Sequence, residues 1–392
     1  MEIKQIYSLI NSVSNEVLGK TDIVTEDLSG VVDMGTAVFN ANAVDNYVKS
    51  LVNHIGKVVF VNRPYSGKIP SVLMDAWEFG SVLEKVTADI PTAEENDSWN
   101  LTDGTEYKQD VFHNPKVTAK FFNSKVTFEV PISITERQVK ESFSSASQLN
   151  GFISMIYSAV EKSLTIKTDA LVMRTITNMI AETLNADKTA FVPSGKTAPD
   201  YTSASTVRCV NLLKLYNGVK GTTLTATKAV TDPDFIKYAS YTMGLYSDRM
   251  QSISTLFNVG GKERFTPKDA LHVVLLSDFA KAAQTYLYSD TYNKNEVLLP
   301  NAETVPCWQA SGTDYAFTNV SKIDVKSSGG VSVSLGGVLG VMFDRDALGV
   351  CNSNRRVTTN YNAKAEFFNN YYKFDAEYFN DTNENFVVFF VA

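Results

Sequence analysis

Apolar positions in this chain follow two periods, and the longest run of either is helical. From about Ser147 to Asn185 there is no proline, and the only glycine, Gly151, stands in the first turn. Leu149, Ile153, Ile156, Val160, Leu164 and Leu171 share one face at about 100° per residue. From Ile166 onward a second set, Val172, Ile176, Ile180 and Leu184, lies about half a turn away. At ~1.5 Å per residue this predicts a helix of roughly 55–60 Å that buries opposite faces at its two ends. Two shorter helices broken near Thr165–Thr168 are the alternative. Glu161, Lys162, Lys167, Asp169 and Arg174 interrupt the run, which excludes a membrane span. It has no single sustained seam, which excludes a coiled coil.

Upstream, Ile3, Ile6, Ile10, Val13 and Val17 predict an amphipathic helix over 1–18, closed by Gly19. Residues 20–40 predict an extended arm. A helix over Asn42–His54 and a strand over Val58–Val61 come next. From Gly67 to Glu136 the period drops to two. Val117, Ala119 and Phe121 alternate, then Val126, Phe128, Val130, Ile132 and Ile134 alternate in the other phase. The slip at Asn123–Ser124 predicts a bulge or bend. Pro131 has no N–H to give to a ladder, so its strand is expected at an edge. A strand from Trp77 to Ile90 is expected to pair with Val111–Val130, around an acidic, turn-rich tip at Pro91–Asp110. That makes an arm of roughly 50–60 Å at ~3.3 Å per residue. A lone two-stranded ribbon is marginal in water, and another subunit is the economical support for it.

After a polar linker, Asn185–Ser205, helices are expected over Ser205–Tyr216, Asp234–Phe257 and Ser277–Tyr288, with strands at His272–Leu276 and Val338–Phe343. The block 196–349 therefore reads as an inserted mixed α/β domain. Val357, Thr359, Tyr361, Ala363, Ala365 and Phe367 alternate, as do Tyr372, Phe374, Ala376 and Tyr378. The final run NFVVFFVA is too apolar to lie loose and predicts a central strand, returning to the sheet beneath the long helix.

Composition changes this picture little. The 392 residues are 44% hydrophobic and 20% charged, ordinary for a soluble globular protein with two or three domains. The net charge of -7, with no basic tail, argues against a protein that grips phosphates but not against a container for DNA. Cys209, Cys307 and Cys351 are far apart and read as buried thiols in a reducing compartment. The N-terminal residues do not read as a secretory signal.

Candidate chemistry is sparse. Ala190–Thr197, AFVPSGKT, loosely matches a phosphate loop, but Ala198, Pro199 and Asp200 do not begin the helix that such a loop needs, so it reads as a surface loop. His54, His113 and His272 are isolated, Asp344 and Asp346 around Arg345 read as a turn, and there is no GxSxG. No enzyme activity, catalytic residue, cofactor or metal is expected. The candidate inter-subunit contacts are Glu94, Glu95 and Asp97 with Trp99 at the hairpin tip, and Arg355 and Arg356. For the tip the alternative is a solvated loop, and for the arginines it is plain surface charge.

The order of elements, an N-terminal arm, long hairpin, long helix, inserted α/β domain and return strands, resembles the α+β HK97-like fold of tailed-phage major capsid proteins. VDMGTAVFNANAVDNYVKSLVNHIGKVVF (Val32–Phe60), LNGFISMIYSAVEKS (Leu149–Ser163) and GVMFDRDALGVCNSNRRVTTNYNA (Gly340–Ala363) resemble stretches of the small short-tailed picovirus-type phages. The resemblance implies an N-terminal arm over 1–55 and an extended hairpin loop over 56–135. It implies a peripheral domain of 136–195 and 350–392, and an axial domain of 196–349. It also implies an icosahedral shell of pentamers and hexamers around double-stranded DNA. Scaffolding and portal proteins are the implied partners, without a membrane, in a virion assembled in the host cytoplasm. An encapsulin-like nanocompartment shell of the same fold is the alternative. Neither residue of the covalent cross-link known in the fold's namesake can be matched here, so no cross-link is expected.

Overall fold

The structure is a computed structural model. It describes residues 3–19, 37, 46–47, 50, 69, 72–74, 83–91, 93, 95–107, 110, 112–114, 116–135, 137–138, 146–288, 302–309 and 314–392. The order is α1 (Ile3–Leu18), β1 (Leu83–Ala88), β2 (Val117–Phe122), β3 (Lys125–Thr135), α2 (Ala146–Ala186), β4 (Cys209–Asn211), α3 (Leu212–Lys220), α4 (Ala226–Ala229), α5 (Pro233–Met250), β5 (Leu271–Leu276) and α6 (Ser277–Tyr288). Then come β6 (Ala302–Val305), α7 (Phe317–Val320), β7 (Ile323–Lys326), β8 (Ser332–Leu335), β9 (Val338–Asp344), β10 (Leu348–Asn362), β11 (Phe367–Asn380) and β12 (Phe386–Phe390). But for isolated positions, the arm expected over 20–40, the helix over Asn42–His54 and the strand Val58–Val61 lie outside the described residues. The chain forms two compact units. One is Met1–Pro70, Lys125–Val172 and Val350–Glu377; the other is Ser71–Ser124, Met173–Gly349 and Tyr378–Ala392.

The long helix α2 is one unbroken element of 41 residues. Thr165 and Thr168 do not break it, because their hydroxyls donate back to the carbonyls of Glu161 (2.9 Å) and Leu164 (3.0 Å). In the first unit its buried face is Ile156, Val160, Leu164, Thr168 and Leu171, and Met155 and Ile166 are exposed. The helix does not then switch to burying only the opposite face. In the second unit Thr175, Ile176, Thr177, Met179, Ile180, Ala181, Thr183 and Leu184 are all buried, most of the way round the helix. The threonines account for the difference. Thr177 and Thr183 satisfy their hydroxyls on the carbonyls of Met173 (2.9 Å) and Met179 (2.8 Å), so they bury without a polar cost.

The first unit holds a sheet in the order β10-β11-β3. β3 runs antiparallel to β11, from Thr135 opposite Phe367 to Lys125 opposite Glu377. Pro131 thus sits in an edge strand, as expected of it. Phe368, Tyr372, Phe374 and Ala376 make the buried face of β11. Two details depart from the alternation. Ala363 and Ala365 lie in the turn between β10 and β11. Past Glu377 the phase slips, so Phe379 is buried and Tyr378 is not. The β3 ladder ends there: the Tyr378 N–H donates to the Ser124 carbonyl (3.1 Å), and the Tyr378 ring receives the Arg174 guanidinium 5.0 Å from its centroid.

In the second unit a five-stranded sheet runs β4-β12-β9-β5-β6. The last strand, β12, lies parallel to β4 and antiparallel to β9, and every residue of β12 and β9 is buried. Val387 and Phe389 face a core with Leu213, Phe235, Met243 and Phe279 from α3, α5 and α6. Phe390 lies 6.3 Å from the Phe191 ring and 6.4 Å from the Tyr201 ring, so the linker expected to be merely polar supplies two core aromatics. The terminal strand is therefore hydrogen-bonded into the block 196–349, not into the sheet of β3, because a strand apolar on both faces needs both faces covered.

The Gly336–Gly337 turn feeds β9 into this sheet. Gly337 has φ +76°, and a Cβ there would run into the Val391 carbonyl. The Val391 N–H donates to the Gly337 carbonyl at 2.8 Å, which holds the backbones together. Gly337→Ala is expected to cost at least about 1–3 kcal/mol, read as a fall in the denaturant midpoint. Gly329→Ala, where only Ser327 Oγ comes within 3.9 Å, should leave the midpoint almost unchanged.

Candidate assembly surface

β1 and β2 pair antiparallel from Leu83 opposite Phe122 to Ala88 opposite Val117, and form a two-stranded sheet of their own. The partner expected for the incoming strand is divided. Residues 117–122 pair with β1, whereas 125–135 pair with β11, and the break falls at Asn123–Ser124 as the phase slip indicates. The paired part of the ribbon is six residues long, about 20 Å at ~3.3 Å per residue, shorter than the expected arm.

The ribbon is amphipathic in the reverse of the usual sense. Lys85, Thr87, Lys120 and Phe122 lie on its half-buried face. Val86, Val117 and Phe121 lie on the other and are 59%, 57% and 62% exposed. The alternation of Val117, Ala119 and Phe121 is real, but its apolar side faces solvent. The cause is a pair of carboxylates in the turn between β11 and β12. Asp381 takes Lys120 at 2.9 Å and Lys85 at 3.0 Å, and Glu384 takes Lys85 at 2.8 Å and Arg264 at 3.2 Å. Lys85 also donates to the Asp346 carbonyl (3.1 Å), Lys262 pairs with Asp89 (3.1 Å), and the Phe122 and Phe379 rings lie 5.1 Å apart. Burial pushes the Asp381 carboxyl up, but the Lys120 hydrogen bond, the Lys85 charge and the Asn383 N–H outweigh it and hold it below the carboxylate range. Burial likewise pushes Lys85 down, and the bonds and charges of Glu384 and Asp381 carry it above its ordinary value.

Beyond this clamp the tip is shaped locally. Asp97–Trp99 form a single 3-10 turn, the Ser98 N–H donates to Asn96 Oδ1 (2.8 Å), and the Thr102 N–H donates to the Tyr107 hydroxyl (3.0 Å). Trp99 is 94% exposed and Phe112 87%. Large apolar groups left in solvent on one element mark an interaction surface.

Of the residues expected at contacts, Glu94 lies outside the described residues, Glu95 and Trp99 are exposed, and Asp97 opens the 3-10 turn. These belong to the second unit. Arg355 and Arg356 are in the first, on β10. Arg356 grips Asp375 of β11 with both terminal nitrogens (2.5 and 3.3 Å), and Arg355 is half-buried. Burial lowers the Arg355 pKa and the Glu161 charge raises it, with burial prevailing. The clamp carboxylates and lysines were missed because their partners stand more than 250 residues apart in the chain. Phe112 was missed because it stands alone in a polar stretch.

Elsewhere the chemistry is structural. AFVPSGKT runs into turns, not a helix. Asp344 accepts from the Asp346 N–H (2.9 Å) and the Thr266 hydroxyl (2.7 Å), as a turn would have it. Cys209 and Cys351 are buried as expected, and Cys307 is half-buried. Among the described residues no His, Cys, Asp and Glu group fits a metal ion, and no helix is long and apolar enough to cross a membrane.

Solved capsid structures share the architecture. The capsid of Staphylococcus phage Andhra is 8% identical over 84% of this chain and 86% of that one, with a TM-score of 0.50. A chain from a structure of the head fibre and inner core protein of native bacteriophage P68 is 8% identical over 85% and 86%, with a TM-score of 0.48. The capsid of cyanophage P-SCSP1u is 11% identical over 85% and 92%, with a TM-score of 0.43. The comparison with curated proteins returns no match. The α+β fold is HK97-like. A family model described as Phi29-like phage major capsid protein matches residues 10–390, and the chain belongs to that family.

Proposed function

We propose that this chain builds its phage shell as pentamers and hexamers in which the ribbon of each copy lies on a neighbour. The observation that carries this is the ribbon's solvent-facing apolar side, with Val86, Val117 and Phe121 out and the lysines in. Such a side needs a cover, and in a shell protein the cover at hand is another copy. Glu94, Glu95, Asp97, Trp99, Arg355 and Arg356 are assigned to contacts between copies. Residues 1–55 act as the N-terminal arm and 56–135 as the extended loop. Residues 136–195 and 350–392 act as the peripheral domain and 196–349 as the axial domain. The shell encloses double-stranded DNA without reading its sequence, which the net charge of -7 suits. It assembles in the host cytoplasm with scaffolding and portal proteins, in a phage of the short-tailed picovirus type. The role is structural, not enzymatic.

Deleting Pro91–Asp110 should leave a folded monomer by circular dichroism that forms no closed shells by electron microscopy. Normal shells from that deletion would remove the ribbon from assembly.

The clamp sets a pH window. The lowered Asp381 pKa means that its contribution is whole above its ordinary 3.8 and is lost as pH falls through the depressed value. The raised Lys85 pKa means that its contribution is whole below 10.5 and is lost as pH rises through the elevated value. Amide exchange at 85–88 and 117–122 should therefore stay slow between these limits and quicken beyond them. Asp381→Asn should quicken it already at neutral pH. Unchanged protection in that variant would show that the ion pairs do not hold the ribbon.

A further inference from the structure

On the reading that each ribbon lies on another copy, we propose that its tip docks on the outward stripe of α2 of that copy. Met155, Ala159, Lys162, Ile166 and Ala170 fall at i, i+4, i+7, i+11 and i+15, so they face one way. All are exposed, Met155 at 58% and Ile166 at 65%. The stripe has the length and form of a docking ridge, aliphatic with a small residue in every other place.

Its charge selects the occupant. Lys162 in the stripe and Lys167 on its flank are exposed, whereas Glu161 and Asp169 in the same half of the helix are half-buried and engaged in other interactions. The tip is the complement. From Glu94 to Tyr107 the sequence carries Glu95, Asp97, Asp103 and Glu106 and no cation, together with the exposed Trp99 and Leu101. An acidic, aromatic tip meets a basic, aliphatic ridge with both apolar and charge terms favourable. Like surfaces cannot pair: tip against tip and ridge against ridge each place equal charges together. The contact is therefore head-to-tail, the kind that closes rings.

The test replaces Trp99 with the photo-crosslinker p-benzoylphenylalanine in shells assembled from a mixture of isotopically light and heavy copies. Mixed-isotope cross-links to residues 155–170 are expected. Mixed-isotope cross-links only to other residues would overturn the ridge as receiver and leave the ribbon-on-neighbour reading standing. Cross-links within single copies would overturn both, and a Trp99 position that captures nothing in closed shells would overturn the inference. Charge reversal gives a second reading. Lys162→Glu with Lys167→Glu should slow assembly about tenfold or more at low salt while the monomer stays folded, and high salt should narrow the gap. Adding Glu95→Lys and Asp97→Lys to the same chain should restore it. No restoration in a folded chain would count against the pairing.

Discussion

Two carboxylates in one turn decide which way the ribbon presents itself. The Asp381 and Glu384 side chains are only 2% and 9% exposed, so each needs a cation within reach. Lys85 and Lys120 supply it, and side chains alternate along a strand. Drawing those lysines inward therefore forces Val86, Val117 and Phe121 outward. The energies favour this sense. Removing one partner of a buried ion pair costs about 3–5 kcal/mol, whereas fully burying one valine or phenylalanine side chain contributes about 1.5–3 kcal/mol. A one-residue slip would hide the apolar side chains, but against carboxylates, and would strand both acids. Electrostatics at the base thus sets hydrophobic exposure along the strands.

The ribbon can be held this way because what it rests on is firm. The turn that carries Asp381 and Glu384 leads directly into β12, which has a strand on either side and no exposed residue. The Asp381 N–H donates to the Ala347 carbonyl (2.7 Å), and the Phe386 N–H donates to the Phe257 carbonyl (2.9 Å), so the turn is pinned at both ends. Asn385 Nδ2 donates to the Thr266 hydroxyl (3.1 Å), which itself donates to Asp344. A carboxylate on a mobile loop would follow its lysine; on this turn the lysine comes to the carboxylate.

Much of this architecture was legible because local pattern and tertiary need agreed. The long helix was found within a residue at each end, since its composition and its apolar spacing point the same way. Val338–Phe343 and the terminal run were recognisable as interior strands because nothing polar interrupts them. The misreadings share another origin. The second half of α2 was read as one-sided because Thr177 and Thr183 count as polar in a pattern, yet their hydroxyls close on the helix itself. The hairpin was drawn too long because Val126–Ile134 alternates like any ribbon strand, and only the distant β11 claims it. The apolar side of β2 was assigned inward because alternation states which residues share a face, not which face is covered. The tip's Glu95 and Trp99 were legible as a candidate contact from composition alone. The clamp was not, because Lys85, Lys120 and Asp381 are ordinary charges until the fold gathers them.

An inverted ribbon also bears on how a shell can assemble reversibly and still be durable. Three exposed side chains on a short ribbon offer one contact too small to hold two copies together for long. Pinning the ribbon at its base removes much of the ordering cost that a loose arm would carry into each contact. In a closed ring every copy both gives and receives such a contact, so breaking out one subunit means breaking several at once. Weak single contacts let misplaced copies leave, and closure makes the finished wall hold. Both properties arise from lysines that turn inward to a buried carboxylate turn and leave the valines and the phenylalanine to another chain.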